Sequence, residues 1–183
     1  QMRPDQNGNI SCAEFAKGVN EKTILISAMY INNEIGSILP VEKIKRIIEM
    51  KKATALFHAD CVQAFGKVKF SPKKLGADIV SVTAHKIHGP KGTGALYIKK
   101  GARILPRTFG GEQEKRMRPG TEASPLIAGF GAAAAALPDL QMQSRAVGEL
   151  NFYLKEKLSG RDGIRFNSDE NASPYKFTVY IST

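Results

Sequence analysis

Asn33, Asp60 with Gln63, and His85 with Lys86 each stand just past a short apolar run of the chain: TILISAMY at 23–30, ALFH at 55–58 and IVSVT at 79–83. If those runs are neighbouring strands, an amide, a carboxylate and an amine converge on one crevice. Such a set can hold a cationic heteroaromatic ring and offer a nucleophilic amine to a carbonyl carbon. Taken singly, each residue reads as a loop cap or a surface group. Only their joint placement carries weight.

The elements that must position them alternate. Ser11 and Glu14 form an S-x-x-E capping box ahead of a short helix running to about Val19, and the first apolar run then reads as a buried strand. After the polar loop INNEIGSIL, Pro40 opens a helix in which Ile44, Ile47 and Ile48 recur at helical spacing until Lys51 and Lys52 close it. ALFH, IVSVT and ALYI (95–98) follow as strands, with Pro72, Gly76 and a Gly-rich turn at 89–94 as punctuation. This alternation predicts an α/β layer with a mainly parallel sheet and ligands beyond the carboxyl ends of its strands. From Glu122 to about Gly160 the pattern becomes helical and Ala- and Leu-rich, broken at Pro138, which places a domain boundary near residue 140. The tail KFTVYIST (176–183) alternates like a strand but shows no partner in sequence. The expectation is a chain cut from a longer one.

Composition narrows the function classes. The 183 residues give about one domain, with 27 Lys and Arg against 17 Asp and Glu, a net charge of +10 and 42% hydrophobic residues. No apolar run reaches the roughly 18 residues needed to cross a bilayer, and the N-terminus QMRPDQNGN has no secretory pattern, so a cytoplasmic protein without a membrane partner is expected. The basic residues come in short scattered clusters without interleaved aromatics, which argues against nucleic acid as partner. Cys12 and Cys61 form neither a disulfide framework nor a CxxC zinc pair, so no metal is expected. Asp5 to Glu14 is too short for a calcium loop, GPKGTG (89–94) lacks the full phosphate-loop frame, and the sequons at Asn9 and Asn171 have no secretory context.

Four ordered motifs are more specific. NNEIG (32–36), HADCVQAFGK (58–67), SVTAHKIHGPKGTGALYI (81–98) and FGGEQEKRMRPGTEASP (109–125) resemble those of cysteine desulfurases of the NifS and IscS type, within the class V aminotransferase group. The resemblance implies part of the large domain of a pyridoxal-phosphate enzyme of fold type I over 1–140, and the start of a small C-terminal domain over 141–183. It implies that Lys86 carries pyridoxal 5'-phosphate through its aldehyde and moves the substrate's α-proton, while Asp60 pairs with the pyridine nitrogen. A carboxylate there keeps the ring protonated and electron-withdrawing. By the same resemblance Gln63 bonds the ring's phenolic oxygen, and Asn33 sits near that oxygen and the substrate carboxylate. Thr83 and His85 flank the phosphate, and Thr121 reaches the phosphate of a partner subunit in a homodimer.

The implied reaction takes sulfur from L-cysteine, leaving alanine, and passes it through an enzyme persulfide to acceptor proteins such as an iron–sulfur scaffold. Selenocysteine lyase shares the same machinery and remains an alternative, as does a non-catalytic structural fragment. In the family the catalytic Cys and the substrate-gripping Arg lie beyond the strand with which this chain ends, and the stacking His precedes residue 1. The fragment is therefore expected to bind cofactor weakly and not to complete sulfur transfer. Cys61, beside the negative Asp60, reads as packing rather than as the nucleophile, and Cys12 as a surface or core residue.

Overall fold

The computed structural model describes residues 2–182. Its first helix, α1 (Cys12–Gly18), begins where Ser11 Oγ accepts the Glu14 N–H at 3.2 Å. The Glu14 carboxylate turns instead to Lys17 Nζ at 2.6 Å, so only half of the expected capping box forms. Strand β1 (Leu25–Met29) is followed by a 3-10 turn at Val41–Lys43, helix α2 (Ile44–Met50) and strand β2 (Leu56–Asp60). Short α3 (Pro72–Leu75) starts with proline and stops at left-handed Gly76, and leads to β3 (Ile79–Thr83). A 3-10 turn at Ala84–Lys86 and the 89–94 loop then connect to β4 (Gly94–Ile98).

The four strands lie in the order β1-β2-β3-β4. The first three are parallel, as expected from the strand–helix alternation, and β4 returns antiparallel along β3. Strand β2 runs further than the apolar run alone indicated, because the ladder continues to Asp60, which pairs with Met29 on one side and Ser81 on the other. Asp60 and Thr83 are thus the last residues of strands rather than loop residues.

One sheet face makes the core. Ile26, Ala28, Phe57, Ala59 and Val80 pack against Phe15, Ile44, Ile47, Ile48 and Leu75 of the three helices. Asp78 pins this layer together: its Oδ2 accepts the Phe57 N–H at 3.0 Å, while Lys45 and Lys99 approach at 3.5 and 3.3 Å. The opposite face carries Ser27, His58 and Ser81, and is left open, with Leu25 51% and Leu96 53% exposed.

Beyond the sheet, α4 (Ser124–Ala135) and α5 (Leu140–Leu158) are separated by 136–139, where Pro138 was expected to break the helix. Asp139 caps α5, its Oδ1 accepting the N–H groups of Gln141 and Met142 at 3.0 and 2.9 Å. The tail forms β6 (Val179–Ile181), and here the expectation of an unpartnered strand fails. It pairs antiparallel with β5 (Ile164–Phe166), Ile164 opposite Ile181. Three residues are too few for alternation to show, so β5 was not legible in sequence.

Candidate active site

Three successive parallel strands end at one rim: Asp60 and Thr83 close β2 and β3, and the turn that carries Lys86 follows β3. Because side chains alternate along a strand and paired residues of parallel neighbours share a face, Asp60, Ser81 and Thr83 share one side of the sheet. Asp60 is half-buried and turns the chain by accepting the Val62 N–H at 3.0 Å. From there residues 61–68 wind through helical turns, with Phe65 N bonded to Cys61 O and Val68 N to Ala64 O. Gln63 and Lys67, four apart, therefore lie on one side of that winding.

Gln63 is 3% exposed, and its Oε1 is buried with no donor. An unsatisfied buried acceptor costs about 1–3 kcal/mol, which marks it as a group fitted for a partner. The Gln63 amide N–H is the group that could donate to the phenolic oxygen of a pyridoxal ring, which accepts when the ring nitrogen keeps its proton. Thr83 donates its hydroxyl to Thr93 O at 3.2 Å and lies 2.9 Å from His85 Nδ1, so the imidazole is the donor in that second bond. This pair stands at the head of the 3-10 turn that carries Lys86. The set of donors, carboxylate, amide and amine suits pyridoxal phosphate.

Asn33 and Thr121 are placed differently. Asn33 is exposed in the turn closed by the Ile31–Ile38 bridge, and its Nδ2 donates to Glu34 Oε1 at 2.6 Å. Thr121 is exposed in the stretch just before α4.

Several residues near the rim escaped sequence reading. His58 Nδ1 lies 2.8 Å from Ser27 Oγ and its Nε2 3.1 Å from Ser81 Oγ, tying β1, β2 and β3 on the open face just before Asp60. Burial lowers the His58 pKa from its ordinary 6.5, against the opposing pull of Asp60. Period-two spacing from Asp60 was the available signal. Lys67 was visible four residues beyond Gln63, but Tyr175 and Lys176 had no local signal at all. They arrive because Ser173 N bonds Gly36 O at 2.8 Å and Thr178 Oγ1 donates to Glu34 O at 2.6 Å, laying the tail on the Asn33 turn. Gly66 (φ 75°) lets the Lys67 turn approach the Lys86 loop, since a Cβ there would meet Ile87 Cγ2 at 2.5 Å.

Comparison with known proteins matches this chain, over residues 1–182, to the model of the aminotransferase class-V family. The chain belongs to the class V aminotransferase family. Within it, the chain is 43% identical over 155 residues to a cysteine desulfurase IscS of Methanosarcina thermophila, covering 84% of this chain and 38% of the relative. A solved NifS-like protein superposes with a TM-score of 0.90 at 38% identity, over 97% of this chain and 49% of that one. SspA, solved in complex with cysteine, superposes with a TM-score of 0.82 at 31% identity, over 98% of this chain and 50% of that one. This class V chain thus spans about half the length of the solved chains it matches and less than half of the curated relative. Its parallel-dominated sheet is that of the NifS-like structures.

Proposed function

We propose that this chain supplies the pyridoxal-phosphate-holding part of a cysteine desulfurase, an enzyme that removes sulfur from L-cysteine. The placement of buried Gln63 in the winding after Asp60, at the same strand ends as the Lys86 turn, carries this reading. Pyridoxal phosphate, when bound, supplies an electron-withdrawing ring that stabilises negative charge on a substrate α-carbon. Asp60 would hold the proton on the ring nitrogen, and Gln63 would bond the phenolic oxygen. The Thr83–His85 pair would hold the phosphate, and the Lys86 amine would anchor the group and carry the α-proton. Asn33 would face the phenolic oxygen and the substrate carboxylate.

Other parts of the reading rest on the same resemblance. The break between α4 and α5 supports a division near residue 140, with 1–140 as part of the large domain and 141–183 opening the small one. A homodimer in which Thr121, exposed in this chain, reaches the phosphate of a second copy, and the hand-over of sulfur to acceptor proteins, are proposed from the resemblance. The sulfur-accepting thiol is not Cys61: burial, and then Asp60, pushes its pKa up to about 12. On this reading the 183 residues would bind the cofactor weakly and would not complete sulfur transfer.

The test is the visible absorbance of the chain mixed with pyridoxal phosphate, followed by borohydride reduction and peptide mapping. Wild type should give a band and a label on Lys86, and Lys86→Ala should lose both. A band of equal strength in Lys86→Ala would mean that surface lysines had reacted, and the reading would fall.

A further inference from the structure

Just below the rim, on the open face of the sheet, one imidazole joins three strands. Adjacent strands lie about 4.8 Å apart, so a planar ring on the middle strand, with a nitrogen on either edge, can reach both neighbours at once. His58 does this: its Nδ1 lies 2.8 Å from Ser27 Oγ of β1 and its Nε2 3.1 Å from Ser81 Oγ of β3. The two arms are not equivalent. Ser27 is the register partner of His58 itself, whereas Ser81 is the register partner of Asp60. The imidazole thus leans toward the carboxyl end of β3 and grips the residue beside Asp60.

Asp60 has little else to hold it. Its backbone O accepts the Tyr30 N–H at 2.9 Å on the β1 side, and on the β3 side the next residue, Cys61, donates its N–H to Ser81 O at 3.0 Å. Its Oδ1 accepts the Val62 N–H at 3.0 Å, and among the described residues its carboxylate enters no ion pair. These are the last bonds of the ladder, and bonds at the end of an element open more readily than those inside it. Ser27, His58 and Ser81 form a side-chain rung beneath them, and cross-strand contacts of this kind hold neighbouring strands in place.

A rigid cofactor would make that rung matter. A ring reaching Asp60 through its nitrogen would also reach Thr83, His85 and Lys86 past the end of β3, so the ends of β2 and β3 would have to keep their separation to within about half an ångström. Burial keeps the His58 pKa below its ordinary 6.5 against the pull of Asp60, so at neutral pH no second cation stands beside the carboxylate to compete with the ring nitrogen.

We propose that His58 is a positioning residue for the contact between Asp60 and the cofactor's ring nitrogen, acting through Ser81. The inference rests on the function proposed above and adds to it the side chain that aims the carboxylate.

Two ligands isolate that contact: pyridoxal phosphate and its carbocyclic analogue, in which C–H replaces the ring nitrogen. Equilibrium dialysis against the 183-residue chain gives the affinity for each, with Lys86→Ala supplying the background from surface lysines. Wild type should prefer the nitrogen-bearing ligand by about tenfold, in line with one charge-assisted hydrogen bond, and Asp60→Ala should bring the ratio close to one. His58→Leu and Ser81→Ala should each lower the ratio by about threefold or more. Ser81→Ala removes a single hydroxyl from the open face, so it carries the test if the larger change unfolds the chain.

In a variant whose urea transition shows it folded, an unchanged ratio, including a parallel loss of both affinities, makes the rung a structural clamp alone. That outcome overturns the inference and leaves the cofactor reading standing. If wild type and Asp60→Ala give the same ratio, or neither ligand binds wild type above the Lys86→Ala background, the role proposed for Asp60 fails and this inference with it.

Discussion

A thiol and a carboxylate adjacent in sequence meet very different fates at the end of β2. Asp60 turns outward on the rim, while Cys61 packs into the core with no exposed surface and its N–H tied to Ser81 O at 3.0 Å. Burial and the neighbouring negative charge both disfavour the thiolate, which is the reactive form. Native chain at neutral pH should therefore react with a thiol reagent at Cys12 only, and Cys61 should react after unfolding. Rapid labelling of Cys61 in the folded chain would contradict its place in the core. Gln63 was named from a motif, but its unpartnered Oε1 could be seen only once the winding of 61–68 had buried it.

At the scale of elements, two side chains make the sheet sensitive to acid, in different pH ranges. His58, bonded between Ser27 and Ser81, has its pKa lowered below 6.5 chiefly by burial. Above that pH neither state is protonated. Below it the unfolded chain takes a proton that the folded chain refuses, so stability falls until the pH passes the folded value. For Asp78, burial favours the neutral acid, but the Phe57 N–H, Lys45 and Lys99 outweigh it and lower the pKa from 3.8. Its contribution is present above 3.8 and is lost as the pH falls through the lower folded value. The urea midpoint of wild type should drop between pH 7 and pH 5, and His58→Gln should flatten that drop. Asp78→Ala should cost roughly 2–4 kcal/mol at pH 7, because it strands the Phe57 N–H and two lysines. An equally steep pH dependence in His58→Gln would remove His58 from this account.

For the molecule as a whole, the helices α1 to α3 pack on one side of the sheet, and the other side is partly exposed. Strands in a parallel sheet are ordinarily buried on both faces, yet Leu25 and Leu96 are 51% and 53% exposed on the open one. Exposed apolar surface of that kind binds hydrophobic dyes. Leu25→Ser with Leu96→Ser should lower dye fluorescence while shifting stability by less than about 0.5 kcal/mol per site, the usual range for surface changes. Undiminished dye binding, or a large loss of stability, would show that this face is not open. The chain spans about half the length of the solved chains it matches.

Local information was enough for much of this. β-branched and aliphatic runs identified β1 to β4, with Pro72, Gly76 and the Gly-rich turn at 89–94 setting off the later two. Pro138 marked the break before α5 through ring sterics, while the cap by Asp139 was seen only in the structure. The order of four motifs named the family and singled out Asp60, Gln63 and Lys86 together. Tertiary structure alone decided that β5 pairs with β6, that His58 bridges three strands, and that the tail brings the Tyr175 ring beneath Lys67. Those pairings join residues far apart in the chain, and what selects them is the hydrogen bonding and burial of the folded molecule, which no local spacing encodes.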